Sequence, residues 1–188
     1  MLETPVAIFL SMTIPASVVL SNLILRNKPN LRDGLTLFAA IATFFSVNIV
    51  FYNEKNVAGE TFVLFEIMNG IDLAFSIEPL GLMFALLASG LWVVTHIYAV
   101  GYLRGNNEKS HSRFFACFGL AIFAVMGIAF ADNMFTLFIF YEALTVATYP
   151  LVAHKGDTKS VRGARIYLAI LLSTSICLQL VAIVWTFT

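Results

Sequence analysis

The chain has 188 residues, 60% of them hydrophobic and 12% charged, with a formal net charge of zero and a mean hydropathy of +0.88. A soluble domain of this length needs a charged surface, so the composition excludes that class and describes a chain dissolved in lipid. The charge balance carries no nucleic-acid signature. The two cysteines, Cys117 and Cys177, lie in apolar runs without metal-ligand spacing and read as small buried hydrophobes.

A helix needs about 20 apolar residues to cross about 30 Å of hydrocarbon. Six segments meet that test, at about 4–25, 33–52, 80–102, 113–131, 133–153 and 165–187. The expected fold is an all-α membrane protein, with 1–188 as a single transmembrane domain. The first run exceeds a signal-peptide h-region and is preceded by Glu3 rather than a basic stretch, so it reads as a retained helix. Arg26, Lys28 and Arg32 follow it; Arg104, Lys109 and Arg113 follow the third run; Lys155, Lys159, Arg162 and Arg165 follow the fifth. The positive-inside rule makes those turns cytoplasmic. The other ends carry Glu3, Glu54, Glu60, Glu66, Asp72, Glu78 and Asp132 against Lys55, which places both termini outside, N-out/C-out.

Between the second and third helices, Thr61 to Ile67 and Ile71 to Glu78 alternate around Asn69-Gly70, which predicts an external β-hairpin near 61–78. Val63, Phe65 and Ile67 share one face by this pattern, and Leu73, Phe75 and Ile77 another. An apolar face outside the membrane needs a cover. The chain's own helix ends are one candidate and a neighbouring subunit is the other.

In the third helix His96, with Thr95 and Tyr98 beside it, reads as a satisfied buried histidine or, less simply, as a proton relay. Along the fourth, Cys117, Ala121, Ala124 and Ala131, with Gly127 nearby, form a small-residue stripe that lets another backbone come close. The fifth holds the most expensive residue in the chain: Glu142 lies about ten residues from the outer end, close to the bilayer midplane, where a carboxylate costs a few kcal/mol. Such a group faces protein or water, and helical spacing puts Thr145 and Tyr149 on its stripe. Burial favours the neutral acid and a nearby cation the charged one, so a carboxyl balanced between them can load and release a proton. The structural alternative is a protonated Glu that glues two helices together. Pro150 frees the carbonyl of Val146, either as a simple kink or as a water-binding acceptor. His154, at the cytoplasmic mouth, is a candidate relay to bulk water. On the sixth helix Ser173, Thr174, Ser175 and Gln179 make a polar patch that either bonds across helices or lines water.

The stretches Phe75 to Gly90, Ile97 to Tyr102, Arg113 to Phe115 and Phe140 to His154 together resemble the antiporter-like subunits of respiratory complex I and the D-type subunits of multisubunit sodium/proton antiporters. The likeness runs from about 72 to the end, with the Tyr141-Glu142 helix and its Pro150-Leu151-Val152 ending as the most specific part. The resemblance implies part of the first inverted repeat of that fold. It also implies that Glu142 matches a family glutamate paired with a lysine on a broken seventh helix. That helix, its lysine and the second repeat are missing from this chain, and no lysine falls within the six spans.

The leading expectation is therefore a proton- or cation-translocating half-subunit in a multisubunit antiporter or complex I-like assembly of a bacterial-type plasma membrane. Glu142 is its proton carrier, and a separate chain that continues the fold supplies the basic partner. Other membrane subunits, lipids, and protons or Na+ are the expected partners, with no cofactor, metal or nucleic acid. The rival is a non-translocating scaffold. A membrane enzyme acting on lipid or quinone is a third reading, which lacks any nucleophile or metal motif.

Overall fold

The computed structural model describes residues 4–57, 61–68, 71–106, 108 and 110–187. Among the described residues six helices are long and apolar enough to span a membrane. They are α1 (Thr4–Ile24), α2 (Pro29–Val57), α3 (Pro79–Gly105), α4 (His111–Ala129), α5 (Met134–Val152) and a last span built from α6 (Thr158–Thr174), a π-helical turn (Ser175–Leu180) and α7 (Val181–Phe187). The chain is a multi-pass membrane protein.

Local chemistry sets where the helices start. Pro29 and Pro79 occupy first-turn positions, where a missing N–H costs nothing. Asn133 caps α5 by accepting from the Thr136 N–H at 2.8 Å, and Asp157 caps α6 by accepting from the Ser160 N–H at 2.9 Å. The Ser160 hydroxyl and N–H hold the Asp157 carboxyl below the usual carboxylate range. These starts place α2 and α6 before their apolar runs, so Arg32, Lys159, Arg162 and Arg165 sit on helix rather than in turns.

The hairpin forms between β1 (Thr61–Met68) and β2 (Ile71–Ser76), antiparallel, with register shifts at Val63/Phe65 and Glu66/Met68. Asn69 and Gly70 lie outside the described residues. The second edge of β2 is pinned to the α4–α5 connection: Ser76 N–H donates to Phe130 O at 2.9 Å and Asp132 N–H to Ala74 O at 3.1 Å. Thr136 Oγ1, fully buried, accepts from Ala74 N–H at 3.0 Å and donates to Asp72 O. Asn133 Nδ2 donates to the same carbonyl at 2.8 Å. Phe75 and Ile77 are thereby buried on the helix ends, where Phe75 meets Phe9 and Phe140, while Val63, Phe65 and Ile67 of β1 stay exposed. The chain's own helices cover β2 and Phe62 of β1 and leave Val63, Phe65 and Ile67 uncovered among the described residues.

The core runs from these rings through Leu82, Ala85, Trp92, Ile122 and Met126. The small-residue stripe of α4 closes it. A Cβ on Gly127 would lie 2.2 Å from Cδ1 of Phe140, and one on Gly119 would lie 2.9 Å from Val18, so α5 and α1 approach α4 at side chains' expense.

Candidate functional site

Glu142 stands eight residues inside α5 from Met134 and ten from Val152, which at about 1.5 Å per residue is the middle of the span. Its carboxylate is half-buried and meets Ser175, the first residue of the π turn, whose Oγ donates to Glu142 Oε1. Ser175 is 5% exposed, the most buried member of the polar patch. Its oxygen also lies 3.1 Å from Leu172 O. A hydroxyl has one proton and two lone pairs, so this geometry serves both forms of the acid. Facing an ionised Glu142, Ser175 donates to it; facing the protonated acid, Ser175 accepts and turns its proton to Leu172 O. Thr174, in contrast, spends its hydroxyl on Ile170 O and Leu171 O of its own helix.

On the Glu142 stripe, Thr145 is buried and donates to Tyr141 O at 3.0 Å, and Tyr149 is half-buried one turn on. Val146, whose carbonyl Pro150 deprives of its helical donor, lies on the exposed face. Among the described residues the ion pairs are Arg32–Asp33 and Arg104–Asp33, and neither involves Glu142.

His154 lies past the end of α5, 12 residues from Glu142, or about 18 Å along the helix. Its ring packs edge-on against Phe114 at 5.2 Å, and its carbonyl accepts from Arg113 Nη2 at 3.3 Å. Both ring nitrogens lack a hydrogen-bond partner among the described residues. Burial first and Arg113 second hold the imidazole below its usual value, against the opposing pull of Glu108. His154, Lys155, Glu108, Thr95, Tyr98 and Tyr102 share the wall of an open cavity of about 490 Å³ at this end.

His96 is placed elsewhere. It is 1% exposed, with its ring 4.8 Å from Phe115, and its Nε2 is 3.0 Å from Asp33 O. A carbonyl only accepts, so Nε2 carries the proton. His96 thus borders a buried polar cluster that pattern reading missed. Asp33 accepts from Arg32 Nε at 2.8 Å and from Arg104 Nη2 at 2.6 Å, and Arg32 Nη1 donates to Ser112 Oγ at 2.9 Å. The available signal was Asp33 itself, an acid at the basic end of an apolar run.

Residues 67–115 match the family described as "NADH-Ubiquinone oxidoreductase (complex I), chain 5 N-terminus". The chain is similar to NADH-quinone oxidoreductase subunit L of Campylobacter jejuni, 27% identical over 66% of this chain and 20% of that protein. It is similar to the putative antiporter subunit mnhA2 of Staphylococcus haemolyticus, 31% identical over 73% of this chain and 17% of that one. A third similarity is to the chloroplastic NAD(P)H-quinone oxidoreductase subunit 5 of Chara vulgaris, 29% identical over 65% and 19% respectively. The chain therefore spans about a fifth or less of the length of these curated relatives. The antiporter relative is of the A type, within the same antiporter-like family that the sequence pattern indicated through its D type.

Proposed function

We propose that this chain, which belongs to the antiporter-like family of membrane subunits and matches an N-terminal part of them, carries one half of a proton path in a multisubunit cation/proton antiporter or complex I-like assembly. The observation that carries the reading is the contact between Glu142 and Ser175 at mid-span, where a single hydroxyl can satisfy the acid in either protonation state. Relatives named as antiporter and quinone-oxidoreductase subunits support the same class of activity. In this reading protons enter from cytoplasmic water through the cavity beside His154, pass by water along the Tyr149 and Thr145 stripe, and reside on Glu142. The basic group that drives release lies outside the described residues, among which no basic side chain bonds to Glu142. The bilayer is the plasma membrane of a bacterial-type cell. His96, held to Asp33, belongs to the structural cluster rather than to the path.

The same Glu142–Ser175 bond also fits a scaffold in which a protonated acid joins two helices. Proton transport in vesicles carrying the assembled complex separates the two. Glu142→Gln keeps the shape and a hydrogen bond to Ser175 but cannot carry a proton, so transport is expected to fall at least about tenfold while assembly persists. Unchanged transport leaves the scaffold standing.

A further inference from the structure

At the cytoplasmic end, the turn after α1 and the start of α4 line a second open cavity, of about 660 Å³, which the proposed path does not use. Among the described residues its polar wall holds Arg26, Arg32, Arg113 and His111 against one carboxylate, Glu108, with Asp33 paired to Arg32 behind it. Arg32 is 4% exposed and held in place by Asp33 and by Ser112 Oγ at 2.9 Å, so it cannot swing out to solvent. Its Nη2, although 2.7 Å from Asp33 Oδ1 in an ion pair, makes no directed hydrogen bond, and His111 Nε2 makes none either among the described residues. Buried Asn22 spends its Nδ2 on Val18 O and Thr36 Oγ1, which leaves Oδ1 an unused acceptor in the same wall. The apolar part of the wall is formed by Leu23, Ala116 and Cys117, and Leu23 is exposed.

We propose that this cavity binds the phosphate of an anionic glycerophospholipid of the phosphatidylglycerol kind. Three arginines select an anion. Glu108 limits the charge the wall can neutralise, which favours a singly charged phosphodiester over the dianion of free phosphate. A headgroup hydroxyl is the donor that Asn22 Oδ1 lacks, and Leu23 offers the surface on which an acyl chain lies. The depth agrees, since the ends of α1 at Ile24 and α4 at His111 sit at headgroup level on the basic side of the protein.

Native mass spectrometry of the delipidated chain in neutral detergent tests this, with phosphatidylglycerol, phosphatidylcholine or inorganic phosphate added. Retention of phosphatidylglycerol over phosphatidylcholine is expected, with occupancy falling about fivefold in Arg26→Gln and further in Arg26→Gln/Arg113→Gln. Both arginines are exposed, so these variants keep the fold. Equal retention of the two lipids, or unchanged occupancy in Arg26→Gln, overturns the site. Displacement of the lipid by millimolar inorganic phosphate overturns the lipid assignment in favour of a free-phosphate site.

Discussion

Replacing Asp33 by asparagine probes the buried cluster directly. The Asp33 side chain is 7% exposed, and its two oxygens face Arg32 Nε and Nη2 at 2.8 and 2.7 Å and Arg104 Nε and Nη2 at 3.1 and 2.6 Å. Asparagine keeps the shape and one acceptor but turns N–H donors toward a guanidinium, leaving Arg32 as an uncompensated charge with 4% exposure. Removing one partner of a buried pair costs about 3–5 kcal/mol. Arg104, with 42% of its side chain exposed, is screened by solvent and adds no more than about 1 kcal/mol to that figure. A loss of about 3 kcal/mol is expected, more than a hundredfold in the folding equilibrium. Reversible unfolding in mixed detergent micelles measures it. Arg32→Met/Asp33→Asn should be more stable than Asp33→Asn alone, because no orphan charge remains. A loss under about 1 kcal/mol, or a double variant no better than the single, refutes the assignment.

Gly127→Ala should destabilise by about 1–3 kcal/mol, because its Cβ falls on the Phe140 ring. Gly101→Ala, with open space around it inside α3, should be neutral or stabilise by up to about 1 kcal/mol in the same unfolding assay, and equal destabilisation at the two sites would contradict the packing described. His154, held below its usual value by burial and Arg113, binds its proton more weakly folded than unfolded. Its contribution to stability is therefore complete above about pH 6.5 and is lost as pH falls through the folded value. In His154→Gln the slope of stability against pH below about 6.5 should flatten, and a slope identical to the parent's would remove His154 as its source.

The spans were legible because hydropathy summed over a whole helix is a bulk quantity that single residues barely change. Helix starts were less so: Pro29 and Asp157 act through one backbone position each, and extended α2 and α6 past their apolar runs. The hairpin followed from local alternation, but its inequality did not. Phe75 and Ile77 are buried and Phe65 is exposed because β2 is held by Thr136 and Asn133, residues some 60 positions away. Arg32 read as a turn residue, since its partners Arg104 and Ser112 are as remote in sequence, through Asp33 and directly. Glu142 was legible from cost alone, because a carboxylate at mid-span needs a reason. Its contact to Ser175 was not, as four polar residues of one patch were equal candidates until the helix phase was known.

That phase is where the π turn enters. The last span buries Ala164, Ser175 and Ile183 against the rest of the chain. At about 100° per residue, the 11 steps from Ala164 to Ser175 return to within about 20° of the same face, so α6 presents both without distortion. The eight steps from Ser175 to Ile183 overshoot by about 80°, which in an unbroken α-helix would turn Ile183 out toward lipid. A π turn inserts one residue's worth of rotation, about 100° in the opposite sense, and the turn from Ser175 to Leu180 lies between the two positions. It brings Ile183 back onto the seam. The π geometry therefore starts at the residue that touches Glu142 and lets the seam remain closed on both sides of it. A small buried hydroxyl can then sit at mid-span against Glu142 without costing the helix its packing, which is the arrangement the proposed path requires.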